Sequence, residues 1–184
     1  MKVSILAARI NKQEYSMIST NNLPIIIDVE ASGFGPFSYP IEIGVAMNDG
    51  EKYCTLILPS PKWTHWDEEA EQIHHISRDT LYIYGKPMER VAMELNLLLQ
   101  GKTVYTDGWV VDKPWILKLF DDCGLVPEFY TSSLELILTE EQMAKWHDTK
   151  DAILDELKLQ RHRASYDAYV IQQTWMRTRT RKAS

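Results

Sequence analysis

Leu23-Pro-Ile-Ile-Ile-Asp-Val-Glu-Ala-Ser-Gly33 (LPIIIDVEASG, residues 23–33) decides the fold. Leu23 to Val29 is a short apolar run rich in β-branched side chains, bounded downstream by Ser32, Gly33, Gly35 and Pro36. Such a run predicts a strand covered on both faces, which is the environment of a central strand in a sheet flanked by helices. Asp28 and Glu30 stand two residues apart near its end, so strand alternation places both carboxylates on one face. Two carboxylates there repel each other and lose hydration. A divalent cation between them relieves both costs, and all-oxygen ligation suits Mg²⁺ or Mn²⁺. Asp-x-Glu is a common pattern, however, and two acidic residues also mark a solvated strand end.

Outward from this stretch, residues 41–47 and 53–58 read as two further strands, joined through Asn48-Asp49-Gly50. Asp-Gly tolerates the positive φ of a tight hairpin, so the first three strands are expected to include antiparallel pairs. Residues 67–74 predict a short helix, and Ser77 is placed to cap a second. Pro87 suits the first turn of a longer helix ending before Gly101, with Val91, Leu95, Leu98 and Leu99 on one face and Glu89, Arg90 and Glu94 on the other. Residues 103–106 read as a fourth strand. A helix is expected to start at Pro114, with Trp115, Ile116, Leu119 and Phe120 inward and Gly124 at its end. Residues 133–157 are expected to be mostly helical, with a break near Trp146 left open, and a last helix should run from about Ala164 to Arg177. Strands first, then strand and helix in alternation, imply an α/β fold with a mixed central sheet and helices packed on it. Residues 1–22 show no periodicity and read as a loose arm or an extra strand.

The chain has 184 residues, 45% apolar and 25% charged, which fits one soluble domain with a substantial core. No apolar run has the length of a membrane span, and residues 3–8 are too short for a signal-peptide core, so the expected location is the cytoplasm. Cys54 and Cys123 lack the spacing of a zinc site and read as buried, reduced thiols. The net charge of −6 argues against a protein that coats long duplex by neutralising phosphates, but not against one that grips a strand end. Acidic groups of a metal site contribute to this total.

Two more groups carry chemistry. Asp107 and Asp112, in DGWVVD (residues 107–112), follow the fourth strand directly, where sheet proteins place ligands. Asp107 also reads as a turn residue beside Gly108, and Asp112 as a helix cap. His162 and Asp167, in HRASYD (residues 162–167), lie at the entry to the last helix, where an exposed polar loop is the ordinary alternative.

Together the groups resemble the DEDDh family of 3′→5′ exonucleases. The family's Asp-x-Glu-Thr-x-Gly appears as DVEASG (28–33), with Ala31 in place of Thr. Its Ile-Glu-Ile-Gly strand appears as IEIG (41–44), its His-Gly-Ile turn as HHI (74–76), and its His-x₄-Asp as His162 to Asp167. The middle Asp matches Asp112, with Asp107 in reserve because family members commonly carry Asn at that point. Pro114 also departs from the pattern at the start of the following helix. The resemblance covers residues 24–176 and implies a ribonuclease H-like fold, with an exonuclease domain over 23–178 and a basic tail over 179–184.

The resemblance further implies two Mg²⁺ or Mn²⁺ ions about 3.5–4 Å apart, clamping the attacking and leaving oxygens. Asp28 would bridge both ions, Glu30 and Asp167 would support the one that activates water, and Asp112 would hold the other. His162 would take the proton from that water, a task suited to its ordinary titration range. The implied partner is the 3′ end of a single-stranded nucleic acid; no membrane is implied, and a homodimer is left open. Phe34 is a candidate to stack on the terminal base, worth about 1–3 kcal/mol, or else a loop aromatic. His74 is a candidate contact to the terminal nucleotide, or else a packed turn histidine. Trp63, His65 and Trp66 read as core cover or a subunit contact ahead of a stacking platform. The rival readings are a non-catalytic nucleic-acid-binding or adaptor protein on the same fold and a nuclease cutting within strands.

Overall fold

The computed structural model describes residues 23–158 and 162–179. The expected arm over 1–22 and all of the basic tail but Arg179 lie outside the described residues. Strand β1 (Ile25–Ala31) is followed by β2 (Pro40–Ala46) and β3 (Lys52–Leu56). Helices α1 (Glu68–His74), α2 (Arg78–Tyr84) and α3 (Met88–Leu99) come next, then β4 (Thr103–Thr106) and α4 (Trp109–Asp122). The chain continues with β5 (Tyr130–Ser133), a 3₁₀ turn (Leu134–Ile137), α5 (Glu140–Leu157) and α6 (Ala164–Thr178).

The strands form one sheet in the order β3-β2-β1-β4-β5. β1, β2 and β3 are antiparallel neighbours, while β4 pairs parallel with both β1 and β5, giving the expected mixed sheet. β1 lies at its centre and its two faces have different neighbours. Ile25, Ile27 and Val29 join Ile41, Ile43 and Val45 in a core closed by residues of α3 and α4 such as Val91, Leu95, Ile116 and Phe120. Ile26, on the other face, packs with Ala46, Trp146, Ala168 and Ile171 beneath α5 and α6. Gln172 of α6 fastens this second layer, its amide donating to the carbonyls of Pro24, Ala46 and Met47 at 2.8–3.2 Å.

The structure departs from these expectations at three points and closes the question of a break at Trp146. α4 begins at Trp109, with Gly108 at its N-cap, and carries Pro114 inside rather than at its start. Pro114 lies on the exposed side, where the interrupted backbone bond has water available. β5 was not expected, because Tyr-Thr-Ser-Ser lacks the apolar alternation of a strand; it is a short edge pairing held by main-chain bonds to β4. α5 runs through Trp146 without a break, since that side chain is buried in the second core and Thr139 with Gln142 forms a capping box at the helix start. Cys54 is exposed rather than buried because β3 edges the sheet; its thiol, on the α6 side, donates to Glu42 at 3.5 Å. No described helix is long and apolar enough to cross a membrane.

Candidate functional site

At the C-terminal end of β1 the sheet opens into a cleft of about 330 Å³, whose walls include Asp28, Glu30, Asp112 and His162. Asp28 and Glu30 point to the α6 side of the sheet, as alternation requires, and Asp167 comes down on them from the first turns of α6. Carboxylate oxygens of Asp28, Glu30 and Asp167 lie within 4.8 Å of one another. Asp112 enters from α4, on the opposite layer. Because α4 begins at Trp109, Asp112 sits in its first turn, buried, with its carboxylate accepting from the Thr106 hydroxyl at the end of β4. Gly108 leaves room for it, because a Cβ there would stand 2.9 Å from an Asp112 oxygen.

Asp107 is elsewhere. Its carboxylate pairs with Lys150 of α5 at 2.8 Å, whereas Asp112 is the charge that weighs most on Asp28.

The electrostatics are those of a site short of positive charge. Burial, then repulsion from Asp112, Glu30 and Asp167, holds the Asp28 carboxyl well above the usual carboxylate range. Burial and the neighbouring Asp167 push Glu30 up to about 8. Asp112 is pushed up to about 7, mainly by burial and against the lowering effect of the Thr106 hydrogen bond. Burial also raises Asp167, while nearby His162 opposes the shift. All four are hard oxygen donors, and a cation among them reverses every one of these penalties. The donor set therefore fits Mg²⁺ or Mn²⁺, which the sequence resemblance implies.

The rest of the cleft is apolar and aromatic. Phe34 lines it while remaining 69% exposed, so its ring is available to a ligand. Trp115 lines it too, anchored by its indole N–H to the Ser38 hydroxyl at 2.8 Å. His74 is buried beneath the cleft, edge-on to Trp66. Its Nδ1 accepts from the Ile76 backbone N–H at 3.0 Å, so the proton of the neutral ring resides on Nε2. Burial lowers its pKa and favours that neutral ring. Nε2 has no hydrogen-bond partner among the described residues. His162 occupies the left-handed region at φ 61, a conformation in which histidine is over-represented among non-glycine residues.

The structure thus brings Asp28, Glu30, Asp112, His162, Phe34 and His74 to one cleft, with Asp167 against the first two, and leaves Asp107 in an ion pair. Trp63 is buried and stacks on Tyr39 with ring centroids 4.9 Å apart, as core cover. Thr106 and Trp115 were not picked out from the sequence as site residues. Nothing in their local pattern separates an anchoring hydroxyl or indole from an ordinary one.

The sequence matches no protein-family model and no curated protein. Solved structures are similar in fold. E. coli exonuclease I in complex with a dA16 oligonucleotide superposes with a TM-score of 0.65 at 13% identity, over 85% of this chain and 41% of that one. The zinc-bound form of the same enzyme with single-stranded DNA gives 0.64 at 14% identity, over 86% and 41%. A third exonuclease I structure gives 0.66 at 13% identity, over 85% and 41%. The chain spans about two-fifths of those proteins. At such identities the likeness is one of architecture: the α/β, ribonuclease H-like fold expected from the sequence is the fold observed.

Proposed function

We propose that the protein is a metal-dependent 3′→5′ exonuclease of the DEDDh type, releasing nucleoside 5′-monophosphates from single-stranded nucleic acid. The observation that carries this reading is the meeting of Asp28, Glu30 and Asp167 within 4.8 Å, in a cleft shared with Asp112 and His162. It is supported by a fold shared with an exonuclease whose structures contain single-stranded oligonucleotides.

Asp28, Glu30, Asp112 and Asp167 would hold two divalent ions, which when bound neutralise charge on the phosphate and stabilise attacking and leaving oxygens. The chain's own residues supply the rest. His162 accepts the proton of the attacking water, and its place on the cleft wall gives it access. The leaving group is the 3′-hydroxyl of the shortened strand. Phe34 stacks on the terminal base, which tolerates any sequence because every base has a π face. His74 donates from Nε2 to an oxygen of the terminal nucleotide, satisfying an otherwise orphaned buried donor. The domain is assigned to 23–178, with 1–22 and 179–184 as appendages, and the location to the cytoplasm.

The test uses 5′-labelled DNA and RNA oligomers with Mg²⁺, Mn²⁺ or a chelator. A ladder shortening from the 3′ end, absent with chelator and with a blocked 3′ terminus, is expected. Cleavage that survives exhaustive chelation, or internal cuts in the 3′-blocked strand, overturns the reading. DNA is the first substrate to try, since the similar structures contain DNA strands.

A further inference from the structure

The IEIG stretch lies in β2, beside the site rather than in it. β1 and β2 pair with Asp28 opposite Gly44 and Glu30 opposite Glu42. Directly opposed residues of an antiparallel pair share a face, so Glu42 and Gly44 face α6 alongside the two carboxylates. Glu42 is fully buried. Its oxygens accept from the Arg163 guanidinium, Nη2 at 2.6 Å and Nε at 3.1 Å, and from the Ala164 backbone N–H at 2.9 Å. Ala164 is the first residue of α6, where backbone N–H groups lack helical partners, and Arg163 has no side-chain capping bond of its own. Glu42 therefore caps α6 from another strand. Gly44 completes the seat: a Cβ there would lie 2.2 Å from Ala164 C and Ser165 N, so the backbone of α6 rests directly on β2.

This seat determines where the fourth acidic residue arrives. The Asp167 N–H bonds the Arg163 carbonyl at 3.0 Å, one turn above the clamp. Fixing Arg163 and Ala164 against β2 fixes Asp167 over Asp28 and Glu30, and holds His162 at the mouth. We propose that Glu42, with Arg163, is a positioning residue that assembles the divalent-ion site by seating the first turn of α6 on β2. The inference rests on the reading of Asp28, Glu30 and Asp167 as ion ligands.

The principal variant is Glu42→Leu with Arg163→Met. It removes both charges together, so the net charge near the site is unchanged, and no buried charge is left unpaired. Replacing a buried ion pair by apolar side chains is often tolerated by folding. Mn²⁺ binding is followed by the free-ion electron paramagnetic resonance signal, and amide exchange is followed over residues 162–170. Mn²⁺ affinity is expected to fall about tenfold or more, the usual effect of losing a group that orients ligands, with faster exchange in the first turn of α6. Gln172→Leu is the control, because it loosens α6 away from the site; it should lower Tm without changing Mn²⁺ affinity. Arg163→Lys, which keeps one bond to Glu42, should restore most of the affinity. If the double variant misfolds, Glu42→Gln with Arg163→Gln, which likewise removes both charges, provides the same comparison. Wild-type affinity and unchanged exchange in the double variant overturn the proposal while leaving the ion-site reading intact. A wild-type protein that binds no Mn²⁺ overturns the ion-site reading and the ion-assembly role with it, and the exchange rates then decide whether Glu42 seats α6 at all.

Discussion

His162 and Asp112 carry the sharpest residue-scale expectations. His162 sits at φ 61 on the cleft wall, so an alanine there adds backbone strain to the loss of the ring. Asparagine tolerates that backbone region and gives the cleaner test. In the proposed reaction His162→Asn lowers kcat about 10²–10⁴-fold, with substrate binding much less affected. Single-turnover cleavage across pH at saturating metal measures it; a variant with wild-type rate and pH profile removes His162 from proton transfer. The two aspartates after β4 separate by the same assay. Asp112 is buried in the cleft and Asp107 is engaged by Lys150, so Asp112→Asn should abolish cleavage and Asp107→Asn should leave it near wild type. The reverse pattern transfers the ligand role to Asp107. His74→Phe keeps the buried ring but deletes the Nε2 donor, and should raise KM more than it lowers kcat.

At the scale of elements, α6 is held at its start by Glu42 and near its middle by Gln172, rather than by apolar packing alone. Gln172 serves three carbonyls with only two amide hydrogens, so one hydrogen is shared. Gln172→Leu removes this shared donor; the Met47 carbonyl keeps the Gly50 N–H at 3.3 Å, while a buried acceptor left unpaired costs about 1–3 kcal/mol, and chemical denaturation should show a loss of that order. A loss of only a few tenths would mean that these carbonyls find other partners. Which elements were legible follows from the same physics. β1 and the β2–β3 hairpin show in apolar runs and an Asp-Gly turn, α2 shows in the cap at Ser77, which forms, and α1 lies where residues 67–74 predict it, with Asp67 as its N-cap. β5 was hidden because an edge strand held by main-chain bonds leaves little trace in its side chains. α4 was misplaced because Pro114 is a stronger start signal than Gly108, although Gly108 is the actual N-cap. The site residues were read as separate pairs, each ambiguous alone; the order of motifs united them. Glu42 was visible only as one letter of a matching stretch, since an interelement cap depends on a contact with Ala164, 122 positions away.

For the molecule as a whole, the acidic site sets how stability depends on pH and on metal. In the metal-free protein Glu30 is raised from 4.5 to about 8 and Asp112 from 3.8 to about 7, with Asp28 and Asp167 raised as well. A carboxyl raised on folding keeps its proton in the folded chain after the unfolded chain has lost it. Folding then binds protons, so stability is greatest below the unfolded values near 4 and declines as pH rises through the folded ones, until about pH 8. Each such proton costs about 1.4 kcal/mol per pH unit within its window. This opposes the usual carboxylate contribution, in which pairing lowers the pKa and acid destabilises. Thermal unfolding in chelator, scanned from pH 5 to about pH 8, should therefore show Tm falling with pH. Adding Mg²⁺ or Mn²⁺ at the upper end should reverse the fall, because an ion that binds only the folded site at 100 times its Kd contributes about 2.7 kcal/mol. The rescue should shrink at the acid end, where protons already occupy the site, and in Asp28→Asn, where a ligand is missing. A chelated protein whose Tm is flat or rises over this range would show that these carboxylates are solvated in the folded chain. The cleft would then lack the unbalanced charge that calls for a cation.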